Sequence, residues 1–347
     1  MIVLSKRRLR PALLLAFCCL AACSGERPQQ LGGNIFGTTW AATYQHAPDD
    51  LSAEAVKTEI ESAFELVNLS MNHYDPESVI SDFNQLPPGE PLEVDWDFAY
   101  VLTAALALGE ATGGAYDVSV SALSDLWGFG PDGPTRLPTQ GDIDLALSQV
   151  GVSHLEWQPE TRSLAKRVPN LKLDFSSLAK GYAVDLAADA LDELGLEHYM
   201  LEVGGEVRVR GQSPRGGDWR IAVERPDPTA RGSVQTALSV SDTGIATSGD
   251  YRNFFESEGR RYSHLIDPRT VKPIEHDLVS VTVIHPSTMI ADAWATALMI
   301  AGTAEAKTLA EINNLGVYMV SRQGDDLVTY ANDAMTSVLM SQQTDNR

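Results

Sequence analysis

The stretch Tyr262–Ala301, YSHLIDPRTVKPIEHDLVSVTVIHPSTMIADAWATALMIA, sets a turn, a strand and a helix one after another. Pro268 excludes the helical region for Asp267, so His264 and Asp267 belong to extended or turning chain. Between Val279 and Ile284, Val279, Val281 and Val283 alternate with Ser280 and Thr282, which is the period of a strand. The helix that follows places Asp292 and Thr296 four residues apart on one face. A carboxylate and a hydroxyl at that spacing suit a hard cation such as Mg²⁺.

The N-terminus reads as a secretory signal. Lys6, Arg7, Arg8 and Arg10 precede a short apolar run from Pro11 to Leu20, too brief to span a bilayer. It ends in Leu20-Ala21-Ala22-Cys23, a lipobox-like pattern that makes Cys23 the expected lipid-bearing first residue of the mature chain. The expected organisation is a signal over 1–22, a polar tether over 23–33 and one domain over 34–340. All three cysteines lie at or before position 23, which leaves the body no disulfide, thiol nucleophile or thiolate metal site. The remaining length is enough to bury a core without such staples.

Formal charge is −21, and loss of the signal leaves 22 basic against 47 acidic residues, a net of −25. So acidic a chain is unsuited to nucleic acid or to adsorption on anionic lipid. An anionic ligand would need a cation and backbone donors to be held.

Helical spacing of Val56, Ile60, Ala63, Phe64 and Val67 predicts a helix over Ala53–Asn68, and Trp96–Gly109 predicts a second, stopped by Thr112-Gly113-Gly114. Asn34–Tyr44 reads as the first strand, with Phe36-Gly37-Thr38 inside it. Leu171–Phe175 reads as a strand running into Ser176–Gly181, followed by a helix over Tyr182–Leu194 with Gly195 as its stop. Tyr199–Glu202 is the next strand, after which Val207 and Val209 alternate with Arg208 and Arg210. Beyond Trp219 the chain is mostly strands. The pattern is α+β, with mixed, mostly antiparallel sheets and packed helices in a single domain.

Polar clusters recur at element ends: Asp174 with Ser177 and Lys180, Glu202 with Gly204-Gly205, His264 with Asp267, and Asp292 with Thr296. Taken singly, each acid could cap an element and the histidine could be structural. Their motifs, however, are FGT at Phe36–Thr38, GAYD at Gly114–Asp117, LWGFGP at Leu126–Pro131 and DFSSLAKGYAVD at Asp174–Asp185. They continue with EVGGE at Glu202–Glu206, SHLIDPRT at Ser263–Thr270 and ADAWAT at Ala291–Thr296. In this order they resemble the ApbE family, the FAD:protein FMN transferases, over nearly the whole mature chain.

That resemblance implies a reaction in which Mg²⁺-bound FAD is cut at its pyrophosphate, FMN passes to a Ser or Thr hydroxyl of an exported partner flavoprotein of a redox complex, and AMP leaves. It implies a periplasmic lipoprotein. Asp292 and Thr296 match metal ligands, with the Ser177 hydroxyl assisting. Asp174, Lys180, Ala115, Tyr116, Asp117, Phe36 and Leu265 match positions lining the FAD pocket, and Gly204 and Gly205 match a close approach to the nucleotide. His264 matches the residue that activates the incoming hydroxyl. Phe36 stands where Met is frequent, Ser176-Ser177 replaces a Gly-containing turn, and Ala295 takes the place of an acid present in some members. Arg269-Thr270-Val271 lacks the usual glycine, which stiffens the turn after His264. Hydrolysis of FAD to FMN and AMP, and flavin binding without turnover, are the alternative readings.

Overall fold

Eight strands that follow one another along the chain also lie side by side in one sheet. They are β1 (Gln29–Ile35), β2 (Thr38–Tyr44), β3 (Tyr199–Val203), β4 (Glu206–Arg210), β5 (Thr243–Gly249), β6 (Leu278–His285), β7 (Gly316–Gln323) and β8 (Asp326–Ala331). Every neighbouring pair is antiparallel, as expected for the α+β class. The computed structural model describes residues 27–340 apart from 131, 132, 134, 135, 228, 230, 231, 252 and 258. The signal segment and Cys23 lie outside the described residues, as does Pro131 of the LWGFGP motif.

Long connections carry the helices. Between β2 and β3 come α1 (Ala53–Met71), α2 (Trp96–Ala111) and α3 (Ala179–Glu193), and α4 (Thr288–Ile312) joins β6 to β7. On α1, Val56, Ile60, Ala63, Phe64, Val67 and Met71 recur every three or four residues and are buried, and the Ser52 hydroxyl caps the helix by accepting the Ala55 N–H. Residue Gly302, at φ 77 and ψ 166, interrupts α4. The helices cover one face of the sheet and contribute Phe64, Ala183, Ala187, Met289 and Leu298 to the main core. On the other face, the hairpin Trp219–Glu224 with Val234–Val240 sets Trp219, Ile221 and Leu238 against Val209, Ile245 and Val320. A third apolar cluster, with Leu123, Trp127, Tyr262, Ile266 and Val271, lies beneath the segment that carries His264.

Four expectations change. The tether is shorter than residue 33, because Gln29–Gly33 belongs to β1 and pairs with Trp40–Tyr44. Asn34–Tyr44 is not one strand but a hairpin whose two-residue turn is Phe36-Gly37, at φ 50 and 70. Both values are those of a type I′ turn, and the usual Asn-Gly signal is hidden by the Phe. Leu171–Phe175 keeps the burial alternation of a strand but pairs with no strand among the described residues. Its Leu173 N–H and C=O are instead taken by the Asn84 side chain, at 2.7 and 3.0 Å. Helix α3 starts three residues earlier than expected, which moves Lys180 and Gly181 into its first turn.

Candidate active site

Helices α3 and α4 cross where Gly181 meets the start of α4. A Cβ on Gly181 would stand 2.6 Å from the Thr288 carbonyl oxygen, so only glycine permits this approach. The same contact brings the Gly181 N–H to Asp292 Oδ2, at 3.2 Å. Asp185, one turn further along α3, accepts from Thr288 N–H at 2.8 Å, Met289 N–H at 3.0 Å and the Ser287 hydroxyl at 2.7 Å. This carboxylate thereby satisfies the free amide donors that begin the helix bearing Asp292 and Thr296.

From the sheet side, β4 turns alternate residues towards α3. Glu206 pairs with Lys180, Arg208 with Asp185 and Arg210 with Asp192. The Lys180 ammonium stands 2.8 Å from Glu206 Oε1 and 3.9 Å from Asp292 Oδ2. Glu206 and Asp292 are almost wholly buried, at 3% and 5% exposure. Burial and the neighbouring Glu206 push the Asp292 carboxyl up to about 8, against the opposing pull of Lys180 and the Gly181 N–H. Burial also raises Glu206, whose Oε2 has no hydrogen-bond partner. Lys180 is opposed by desolvation, yet the two acids outweigh it and hold the ammonium firmly protonated. Two buried carboxylates thus share one cation, an arrangement short of positive charge.

These groups border a cavity of about 360 Å³ that Tyr116, Asp117, Asp174, Ser177, Gly204, His264, Leu265 and Thr296 also line. A second cavity of about 560 Å³, with Phe36, Val67, Met71, His73 and Tyr74 on its walls, shares Ser176 and Lys180 with the first, so the two form one cleft. The structure therefore brings together all but two of the expected pocket, metal and base residues. Ala115 is fully buried and lines neither cavity. Gly205 also lines neither: Gly204 and Gly205, at φ 60 and 109, form the tight turn between β3 and β4, and this backbone demand explains the pair.

Several lining groups are themselves held. Tyr116 shares a 2.8 Å hydrogen bond with the Ser177 hydroxyl. Asp117 accepts from Ser119 N–H and hydroxyl, at 2.7 and 2.6 Å, and from Val152 N–H. Asp174 accepts the Ser176 N–H at 2.8 Å and stands 3.4 Å from His73 Nδ1, at the junction of the two cavities. Asp267 turns away to Arg269, which reaches on to Glu305 at 2.8 Å. Val271 adopts φ 62, a left-handed conformation that is strained for a β-branched side chain. Its burial against Trp127, whose ring N–H donates to the Val271 carbonyl at 3.0 Å, holds it there.

His264 takes its position from Asn253, whose carbonyl oxygen lies 2.9 Å from Nδ1 and 3.2 Å from the His264 N–H. A carbonyl can only accept, so Nδ1 carries the proton and Nε2 is left with its lone pair. Desolvation lowers the basicity of the ring, only partly offset by this bond, and keeps it neutral at pH 7.

Among the described residues, no group of three or more His, Cys, Asp or Glu side chains is arranged to hold a metal ion. The expected ligands are the Asp292 carboxylate and the Thr296 and Ser177 hydroxyls, and the orphaned Glu206 Oε2 and the burial-raised Asp292 fit a nearby cation. Sequence reading missed Glu206 and Asp185. The alternation of Arg208 and Arg210 extends back to Glu206 and would have placed it on the same face of β4.

The ApbE family profile matches residues 36–319. The chain is 40% identical over 330 residues to the FAD:protein FMN transferase of Vibrio cholerae, covering 94% of this chain and 97% of that one. It is 36% identical over 346 residues to the protein of the same name from Escherichia coli, with 96% and 98% covered. Among solved structures, the flavin transferase ApbE of Vibrio cholerae superposes with a TM-score of 0.83 at 39% identity, over 90% of this chain and 100% of that one. The apo flavinyl transferase ApbE of Pseudomonas stutzeri gives 0.82 at 37%, over 90% and 96%.

Proposed function

The chain belongs to the ApbE family, and on that premise we propose that it transfers FMN from FAD to a Ser or Thr hydroxyl of a partner protein, with Mg²⁺ required and AMP released. The observation that carries this reading is the cleft, where His264 lines the same cavity as Ser177, Lys180, Asp292 and Thr296.

Phosphoryl transfer needs positioning and charge neutralisation more than covalent help. The acceptor hydroxyl oxygen bonds to the FMN phosphorus as the bridging P–O bond breaks. AMP leaves with the bonding electron pair, and the hydroxyl proton passes to His264 Nε2. A neutral imidazole whose Nδ1–H is already engaged is suited to that role. Mg²⁺, when bound, supplies charge neutralisation to the pyrophosphate, which a chain of net charge −21 otherwise lacks. Asp292, Thr296 and Ser177 would hold it, with Lys180 beside them. The larger cavity, walled by Phe36, Met71 and Tyr74, offers an apolar face to a planar ring system.

Incubation of the purified protein with FAD, Mg²⁺ and a Ser/Thr-bearing acceptor protein should give a fluorescent covalent flavin band on a denaturing gel. FAD binding without a band for any acceptor overturns the transferase reading, and AMP release without acceptor establishes a hydrolase instead. We assign the mature chain to the periplasmic side of a bacterial membrane, anchored through Cys23. Mass spectrometry of the mature N-terminus tests this, and an unmodified Cys23 overturns it.

A further inference from the structure

Immediately before the histidine turn, the strand Arg260–Ser263 pairs with Phe254–Ser257, and Arg261 reaches across this pair to Asp250 and Phe254, on either side of Asn253 in the chain. Its guanidinium donates to the Asp250 carbonyl and lies 3.4 Å from Asp250 Oδ2. It also stacks on the Phe254 ring, with Cζ 4.2 Å from the centroid. Asn253 sits between these two grips, and its carbonyl is the oxygen that receives both His264 Nδ1 and the His264 N–H.

From this geometry we propose that Arg261 is a positioning residue: by gripping Asp250 and Phe254 it aims the Asn253 carbonyl at His264, and so sets the tautomer and orientation of the ring. Arg261 lines neither cavity. Arginine suits the task because one planar group serves a carbonyl, a carboxylate and an aromatic face together. The Asp250 N–H meets the Val279 carbonyl of β6 at 3.3 Å, which ties the clamp to the sheet. A histidine ring whose second nitrogen is held by a protein acceptor presents the first in a fixed protonation state, the logic by which an orienting group serves a general base. The importance of the clamp to turnover rests on the proposed role of His264, whereas its effect on the ring does not.

The experiment is ¹⁵N NMR of histidine-labelled full-length protein, in the wild type, Arg261→Met and Arg261→Lys. The wild type should show His264 as the neutral Nδ1–H form. Arg261→Met should convert it to a mixture with, or a majority of, the Nε2–H form, while Arg261→Lys should keep an intermediate share of Nδ1–H. In flavin transfer, Arg261→Met should lower kcat at least about tenfold, and by no more than the roughly 10²–10⁴ that a positioned base contributes, with KM for FAD unchanged. Should Arg261→Met fail to fold, Asp250→Asn, which removes the ion pair but keeps the carbonyl grip, should still show a partial tautomer shift. A folded Arg261→Met protein, or Asp250→Asn in its place, that retains the pure Nδ1–H signature overturns the proposal. Full transfer activity in His264→Gln would instead defeat the base assignment and leave the tautomer result standing.

Discussion

The two walls of the cleft are built on different principles. On one wall, Lys180 and Asp292 project from α3 and α4, which touch through Gly181 and are joined again by Asp185. On the other, His264 stands on a turn between short hairpins, held by one carbonyl, with the strained Val271 further along the same segment. The helical wall cannot shift one group without moving the other. On the turn wall the histidine ring itself is held through one backbone oxygen, so the ring can be re-aimed without moving the sheet. Such a division suits a reaction in which a small cofactor must be gripped the same way every time while the second substrate is a protein.

Perturbing the turn wall should have the largest effect. His264→Gln is expected to lower the transfer rate by about 10²–10⁴-fold with FAD affinity unchanged. In the wild type, desolvation holds the ring below its ordinary 6.5, so with Mg²⁺ saturating the loss of rate caused by protonating the histidine falls below pH 6.5. A rate that already falls between pH 8 and 7 would show that another group limits the reaction.

Asp292→Asn tests the other wall. It removes a carboxyl that can ionise against a cation while leaving Lys180 paired with Glu206, and should reduce transfer by about 10²–10³-fold. Its signature is weakened Mg²⁺ binding by calorimetry, which His264→Gln should not share. Equal Mg²⁺ affinities in the two variants would erase the proposed distinction between the walls.

Gly181→Ala asks whether the helical wall is as tightly fitted as its contact distance implies. With a Cβ only 2.6 Å from the Thr288 oxygen, the helices must separate, at a loss of about 1–3 kcal/mol in denaturant unfolding. A change below about 0.5 kcal/mol, the scale of an ordinary surface substitution, would mean that the crossing is loose.

The smallest effect concerns Val271. Replacing it by Gly loses buried apolar surface but relieves a strain of about 1–3 kcal/mol, while Ala loses the surface and keeps the strain. Val271→Ala should therefore be the less stable of the two by about 1 kcal/mol, the reverse of the usual order of Ala and Gly in helices and strands.

What the sequence disclosed follows from how local each signal is. The strand at Val279–Ile284 and the helix at Ala53–Asn68 carry their own period, and both formed with slightly longer bounds. Leu171–Phe175 has the period of a strand, but pairing depends on a neighbour that its own residues do not specify, and Asn84 fills that place. Lys180, His264 and Asp292 are far apart in the chain, and only the order of motifs suggested that they meet. Asp185 and Glu206 escaped because capping another helix and pairing across layers are relations between distant elements. The stiffening expected at Val271 is a backbone conformation that its side chain alone would disfavour.

The strand order has a kinetic consequence. Strands β1 and β2 form a local hairpin complete by Tyr44, yet the next strand to pair with it starts at Tyr199, after three long helices have been made. Closing so long a loop is an entropic barrier that local contacts do not lower, and chains dominated by such distant pairings fold slowly. Until β3 arrives, the inner edge of β2, with Trp40, Ala42 and Tyr44, is open to any other strand, including that of a second nascent copy. The apolar face of α1, buried against this sheet in the finished fold, is the nearest local element that can shelter that edge, which gives it a part to play before there is any cleft to shape.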